Sequence, residues 1–278
     1  MPVCPVCNTF VSDDSYLETH TWTFKNFRKD YKLYRCPSCD LDYWEPREVI
    51  REFYEREAEA GYKLLHAGFG RIEFWHKPFF KIFPLKKGRL LDIGCGDGTF
   101  LLKARSSGFD VWGVDLDSKS IEMAKRRGLN QAFNMTLDEF VDYAKGKGWS
   151  FDVITFFEVL EHQDNPKRFL TNVRHLLKPG GWIAGSIPNR DRFSRKYDDR
   201  ETCFDHPPHH LLRFSKNTLK NLLEVTGYTS IEQRDVKDIL ELTRLIEVGI
   251  ACKLGLWNTR KQFIEDTLKL DIEIHVIV

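Results

Sequence analysis

From Arg89 to Ile187 short, unbroken apolar runs alternate with stretches in which apolar residues recur at helical spacing. The runs predict strands ending at Asp92 or Ile93, over Asp110–Asp115, weakly over Gln131–Met135, over Phe151–Phe157 and over Trp182–Ile187. The periodic stretches predict helices over Asp97–Ser107, Ser118–Arg127, Leu137–Lys145 and Pro166–Leu177, with a turn at Pro179-Gly180-Gly181. Strict strand–helix alternation with short connections argues for a doubly wound α/β domain, its mostly parallel sheet covered on both faces.

The flanks read differently. Residues 20 to 35 are rich in Thr, Phe, Trp and Tyr and lack Gly and Pro, which predicts a pair of strands. Pro46 to Phe83 carries a helical pattern that Gly61, Gly68, Gly70 and Pro78 cut into pieces. Its aromatic group Phe74, Trp75, Phe79 and Phe80 suits packing against the main domain, while Tyr54 and Tyr62 are placed to close over a ligand. Beyond the main alternation, Ser215 caps a helix that ends at Gly227, followed by a strand over Tyr228–Asp235. Helices over Ile239–Leu254 and Thr259–Leu268, suited to an acceptor wall or a homodimer face, and a strand over Asp271–Val278 complete the pattern. The expected partition is 1–48, 49–86 as a helical linker or lid, and 87–278.

Charge and cysteine content narrow the chemistry. The 42 basic and 41 acidic residues nearly cancel, which gives no support to a nucleic-acid partner. With no basic-then-apolar leader and no run of roughly 18 apolar residues, the expectation is a cytoplasmic protein without a membrane span. Seven cysteines in such a compartment point to metal rather than disulfides. Cys4-Pro-Val-Cys7 and Cys36-Pro-Ser-Cys39 are two knuckles, each able to turn both thiolates onto one ion, so residues 1–48 read as a ribbon around structural zinc. Four thiolates leave no open position, which argues against chemistry at that metal.

In sheets of this kind ligands sit beyond the carboxyl ends of the strands. After the first strand stand Gly94, Gly96 and Gly98, which let the backbone turn tightly and approach a ligand at a helix N-terminus. After the second stands Asp115, 21 residues past Gly94, the spacing of a carboxylate that grips ribose hydroxyls; Asp117 is the alternative. Asp97 reads equally as a helix cap.

Leu91-Asp-Ile-Gly-Cys-Gly-Asp-Gly98 resembles motif I of the class I S-adenosylmethionine-dependent methyltransferases, and Gly113-Val-Asp-Leu-Asp117 is similar to their second motif. Phe151 to His162 resembles their fourth-strand motif, and Leu177-Lys-Pro-Gly-Gly-Trp182 the turn into their fifth strand. His210-Leu-Leu-Arg-Phe-Ser215 resembles an element of the small-molecule and glycan branch. The resemblance implies a Rossmann-like fold of seven strands in the order 3-2-1-4-5-7-6 and S-adenosylmethionine as cofactor. It implies that Gly94 and Gly96 cradle the methionine part, that Asp115 holds the ribose, and that Leu116 and Met135 or Asn134 flank the adenine. Phe157 and Glu158 would lie at the methionine end, with Asp92 toward the ammonium.

Methyl transfer from a sulfonium needs positioning first and a base second. Histidine is matched to a hydroxyl proton near pH 7, so His209 and His210 are the candidate bases, with His162, Asp205 and His206 close to them in the pattern. The group at Asp205–His210 also has the composition of a divalent-ion site, and His210 alternatively fixes the loop. Arg190, Arg192, Arg195, Lys196 and Arg200 form a basic run suited either to solvent or to an anionic acceptor. The reading that combines these features is methyl transfer to a hydroxyl of a small molecule or glycan. An RNA or protein methyltransferase that grips its substrate through the ribbon is the alternative, and a non-catalytic cofactor-binding scaffold is the third.

Overall fold

The computed structural model describes residues 2–24, 27–50, 60–192, 205–235 and 273–274. Tyr54, the basic residues Arg195, Lys196 and Arg200, and the expected helices at 239–254 and 259–268 lie outside them.

The centre is a five-stranded parallel sheet of β4 (Gly88–Ile93), β5 (Phe109–Asp115), β6 (Ala132–Asn134), β7 (Phe151–Phe157) and β8 (Leu177–Ser186). Its order is β6-β5-β4-β7-β8, so the first strand in sequence lies at the centre and the chain reverses direction across it. Successive β4 residues bury opposite faces. Leu91 packs with Ile154, Phe156 and Phe169 on one side, and Leu90 packs with Phe79, Phe100 and Val153 on the other. That two-sided burial explains the unbroken apolar runs.

The covering helices are set by their caps. α3 (Thr99–Ser106) follows the glycine loop, and α4 (Ser118–Arg126) begins where the Asp117 carboxylate accepts from Lys119 N. Thr136 and Glu139 form a capping box at α5 (Leu137–Gly146). Asn165 caps α6 (Pro166–Leu176), with Pro166 in its first turn. Ser215 caps α7 (Lys216–Val225). Ahead of the sheet the interrupted pattern becomes two short helices, α1 (Ala60–His66) and α2 (Lys77–Ile82). They are separated by a turn at Ala67 and Gly68, irregular chain through Gly70 and a single 3₁₀ turn at Phe74–His76.

One expectation is corrected. The strand expected over Tyr228–Asp235 shrinks to β10 (Arg234–Asp235), because Tyr228 turns inward and its hydroxyl donates to Leu170 O at 2.8 Å. Among the described residues the main sheet has five strands; of the strand expected over Asp271–Val278 only β11 (Glu273–Ile274) lies among them, paired antiparallel with β10.

The N-terminal residues form β1 (Tyr16–Phe24), β2 (Phe27–Arg35) and β3 (Asp42–Glu45), an antiparallel meander. A fourth strand joins it from far along the chain: β9 (Leu212–Arg213) pairs with β3 through Asp42↔Arg213 and Tyr43↔Leu212. Leu41 and Tyr43 of the meander share one apolar cluster with Leu211, Phe214 and Leu219.

Candidate active site

The loop between β4 and α3 turns through left-handed backbone at Gly94 (φ 75°) and Gly96 (φ 52°), where a side chain would be strained. The loop is pinned rather than mobile: the N–H groups of Gly94 and Cys95 donate to Val114 O at 2.8 and 3.1 Å. A β-carbon on Gly94 would also lie 2.6 Å from Val159 Cγ2. Gly96 N donates to Asp115 Oδ2 at 2.8 Å, so the glycine loop and the strand-two carboxylate form one unit.

Two cavities open at this end of the sheet. The larger, about 660 Å³, is lined by Asp92, Gly94, Phe157, Glu158, His209 and the Trp75–His76 corner. The smaller, about 410 Å³, is lined by Asp115, Leu116, Met135, Val49 and His162. Tyr62, Leu65, Gly94, Gly96 and Glu158 border both, so the two are halves of one cleft that passes over the glycine loop. Asn134 lines neither half; its amide donates to Asp115 O and Leu116 O at 3.0 and 2.8 Å and braces that loop from behind. Asp117 is taken up as the α4 cap and by His66 Nε2 at 2.5 Å, which leaves Asp115 as the carboxylate in the cleft. Asp97 accepts from Thr99 N and from Gly70 N, each at 3.0 Å, and pairs with Arg127, fastening the segment after α1 to the start of α3.

The acidic groups here are held away from their ordinary behaviour. Burial pushes Asp92 up to about 8, against the hydroxyl of Thr155, which donates to its Oδ1 at 2.6 Å. Burial likewise lifts Asp115 to about 6, opposed by the backbone N–H groups of Asp117 and Gly96. Glu158, at φ 53°, is also raised by burial. These carboxyls line a cleft, the arrangement expected where a cationic ligand completes the site.

Opposite the glycine loop, three histidine rings cluster: His162 lies 4.5 Å from His209 and 4.7 Å from His210, centroid to centroid, and His209 and His210 stack at 4.7 Å. Of the two predicted bases, His209 faces the larger cavity, whereas His210 is buried and lines neither half. His210 Nδ1 donates to Asp205 Oδ1 at 3.1 Å. Against the raising effect of burial, that hydrogen bond and the charges of Arg213 and Arg192 hold the Asp205 carboxyl far below its usual range. Sequence reasoning passed over Glu161, which is 1% exposed, lies 3.8 Å from both His162 Nε2 and His210 Nε2, and is pushed well up by burial. Its signal was the Glu158-x-x-Glu161-His162 spacing at the end of β7, where attention to the first residue after the strand selected Glu158 alone.

The histidine loop is fastened to the N-terminal meander. Besides the β3–β9 pairing, Trp44 N donates to Leu211 O at 3.0 Å. The Arg213 guanidinium stands 5.0 Å from the Trp44 ring and donates to Asp205 O at 2.6 Å. Two residues of the basic run serve the same junction: Arg190, 6% exposed, pairs with Asp40 and Asp42, and Arg192 pairs with Asp205. Cys4, Cys7, Cys36 and Cys39 converge at the far end of the meander, with sulfur separations of 3.4 Å (Cys4–Cys39) and 3.3 Å (Cys7–Cys36). Thiolates around a zinc ion at ~2.3 Å stand roughly 3.7 Å apart, so this donor set fits one ion closely. Thr218 Oγ1 donates to Cys39 O at 2.9 Å, linking that knuckle to α7.

Residues 64–233 match the family model described as a methyltransferase domain. The ubiquinone biosynthesis O-methyltransferase of Paraburkholderia phymatum is 35% identical over 105 residues, 37% of this chain and 45% of that protein. The protein of the same name from Coxiella burnetii is 29% identical over 185 residues, 60% of this chain and 77% of the relative. The chain thus spans about half the length of the first of these relatives. Among solved structures, a SAM-dependent methyltransferase from Archaeoglobus fulgidus superposes with a TM-score of 0.54 at 20% identity, covering 79% of this chain and 100% of that one. Phosphoethanolamine N-methyltransferase 2 of Haemonchus contortus, in complex with S-adenosyl-L-methionine, gives 0.53 at 15% identity, covering 85% and 61%. At these identities the superpositions establish a shared fold.

Proposed function

Because the chain belongs to the methyltransferase-domain family, we propose that it transfers a methyl group from S-adenosylmethionine to a hydroxyl of a small molecule. The observation that carries the reading is the continuous cleft over Gly94 and Gly96, with Asp115 in one half and His209 in the other. The name O-methyltransferase borne by the curated relatives supports an oxygen acceptor.

When bound, the cofactor supplies a methyl group already activated on a sulfonium. The chain's own residues then have three tasks. Asp115 accepts hydrogen bonds from the ribose hydroxyls, Leu116 and Met135 flank the adenine, and Asn134 holds their loop in place. Gly94 and Gly96 let the backbone lie against the methionine part, Asp92 and Glu158 offer carboxylates to its cationic groups, and Phe157 and Tyr62 exclude water there. His209 faces the acceptor half and takes the hydroxyl proton on an imidazole nitrogen, a contribution of roughly 10²- to 10⁴-fold for a well-placed base. His210, turned onto Asp205, stiffens the loop that carries it. The four cysteines hold a structural zinc ion that fixes the meander, and through β3 and β9 it holds the histidine loop. Residues 1–48, 49–86 and 87–278 are then ribbon, lid and catalytic domain.

The test is incubation of purified protein with methyl-tritiated S-adenosylmethionine and a panel of phenols and sugar alcohols. Labelled methyl ether together with an equal amount of S-adenosylhomocysteine is the expected result. Cofactor binding with label only on nitrogen or carbon acceptors would overturn the oxygen assignment.

A further inference from the structure

The corner between the two short helices brings a histidine other than His209 to the larger half of the cleft. Its 3₁₀ turn, Phe74–His76, is closed by a capping box: Glu73 N donates to His76 Nδ1 at 3.1 Å, and the Glu73 carboxylate accepts from the His76 backbone N–H. An imidazole nitrogen that accepts carries no proton, so the neutral ring is the Nε2–H tautomer. Burial keeps the ring neutral, lowering it to about 4. Its plane is fixed as well, with Phe157 perpendicular to it at 4.7 Å and Phe100 at 5.2 Å, centroid to centroid. His76 lines the larger cavity, and among the described residues its Nε2 has no nitrogen or oxygen partner.

The result is one fixed donor among aromatic walls. Phe69, Trp75, Phe100 and Phe157 line the same half. An apolar group placed against His76 would displace water and leave Nε2–H unpaired, which costs affinity, whereas an oxygen there is matched. On the methyl-transfer reading, on which this step rests, the donor faces either the cofactor's methionine carboxylate or the acceptor. A carboxylate lodged against the ring would draw a proton onto it, and the aromatic surroundings oppose that charge. Arg71, exposed on the same lining and charged at every pH, suits the carboxylate instead. The neutral donor is left for an uncharged oxygen. We infer that His76 is a specificity-determining residue: its Nε2–H donates to an oxygen of the acceptor other than the one methylated, which selects acceptors with two oxygens on an apolar frame over those with one. The two histidines then differ in task. His209 takes the proton of the reacting hydroxyl, and His76, its Nδ1 occupied by Glu73 N, only donates.

The test compares phenol with catechol, resorcinol and hydroquinone, each titrated calorimetrically into the full-length chain with and without S-adenosylhomocysteine. At least one of the three diols should bind about 5- to 50-fold tighter than phenol. His76→Asn keeps an oxygen near the Nδ1 position for Glu73 N but loses the donor, so the preference should fall to within about twofold. His76→Gln returns an amide N–H near the Nε2 position and should recover a preference of at least about threefold. The S-adenosylhomocysteine Kd should move by less than about twofold in both variants. A wild-type chain that favours none of the diols over phenol overturns the assignment. So does an undiminished preference in His76→Asn, and so does a loss of S-adenosylhomocysteine affinity there with the preference intact, which would give Nε2–H to the cofactor. If a variant unfolds, imidazole nitrogen NMR of the wild type decides: the His76 Nε2–H signal should shift with the favoured diol and not with phenol, and a protonated Nδ1 would contradict the tautomer. Assays with S-adenosylmethionine separate the two readings: preference without oxygen methylation sinks only the proposed reaction, and oxygen methylation without preference sinks only this inference.

Discussion

The two halves of the cleft are built in opposite ways. The Asp115 half comes from one continuous stretch of alternating strands and helices: the glycine loop, Asp115 and Asn134 follow one another along the chain and are joined by hydrogen bonds between a side chain of one and the backbone of another and by strand pairing. The His209 half is assembled from three distant segments, Glu161–His162, Asp205–Arg213 and the Asp40–Trp44 edge of the meander. A site made of neighbours tolerates loss of remote contacts, whereas a site made of distant pieces depends on every tie between them. The first half should therefore respond to substitutions within its loop alone, and the second to substitutions far from any ligand.

The largest expected effect breaks the halves apart functionally. His209→Ala should lower kcat by about 10²- to 10⁴-fold while the S-adenosylmethionine Kd, measured by calorimetry, stays within about twofold. A comparable loss of affinity would mean that the halves are not separable. Next is Arg190→Ala, in the junction and lining neither cavity. It leaves the fully buried Asp42 short of a partner. Removing one member of a buried pair typically costs about 3–5 kcal/mol, though Arg35 also holds Asp42 and should reduce the loss. Thermal unfolding should show a clearly lowered Tm, and an unchanged Tm would show that the meander is not held by this tie.

Smaller effects sharpen the cofactor half. Asp92 sits near 8 in the free protein because of burial, and its ionised form is the one that pairs with a cation. At pH 7 ionisation therefore costs about 1.4 kcal/mol, or tenfold. Affinity for S-adenosylmethionine should rise with pH from 6 to about 8 and then level off, with a proton released on binding that calorimetry in buffers of different ionisation enthalpy would detect. Flat affinity over that window would show that Asp92 does not meet the cofactor's charge. Gly96→Ala is milder still. Its β-carbon would stand 3.5 Å from Leu65 Cδ1, an ordinary contact, so the cost is the left-handed backbone, roughly 1–2 kcal/mol.

The same contrast explains what the sequence made legible. Gly94, Gly96 and Asp115 stand at strand ends that periodicity alone locates, and the structure brings them to one cleft. Leu212–Arg213 is two residues long, too short for any period to show, so its pairing with Asp42 and Tyr43 had no local signal. Arg190 and Arg192 look like solvent-facing charge in sequence, and only the approach of Asp40, Asp42 and Asp205 from elsewhere makes them interior ties. Glu161 was hidden for a related reason: the 3₁₀ turn at Leu160–His162 aims it inward, and its neighbour His210 comes from more than forty residues on. The strand over Tyr228–Asp235 failed because a tyrosine counted as a strand former was spent on the core beside Leu170.

The central claim is that the cleft over Gly94 and Gly96 is an S-adenosylmethionine site with Asp115 as its ribose anchor. Calorimetric titration of S-adenosylmethionine into the wild-type chain and into Asp115→Ala tests it most directly. The account predicts one site per chain, weakened roughly 30-fold or more by the substitution, the loss of hydrogen bonds to a charged acceptor worth about 2 kcal/mol or more. No binding by the wild type, or equal affinity in the two proteins, would contradict it.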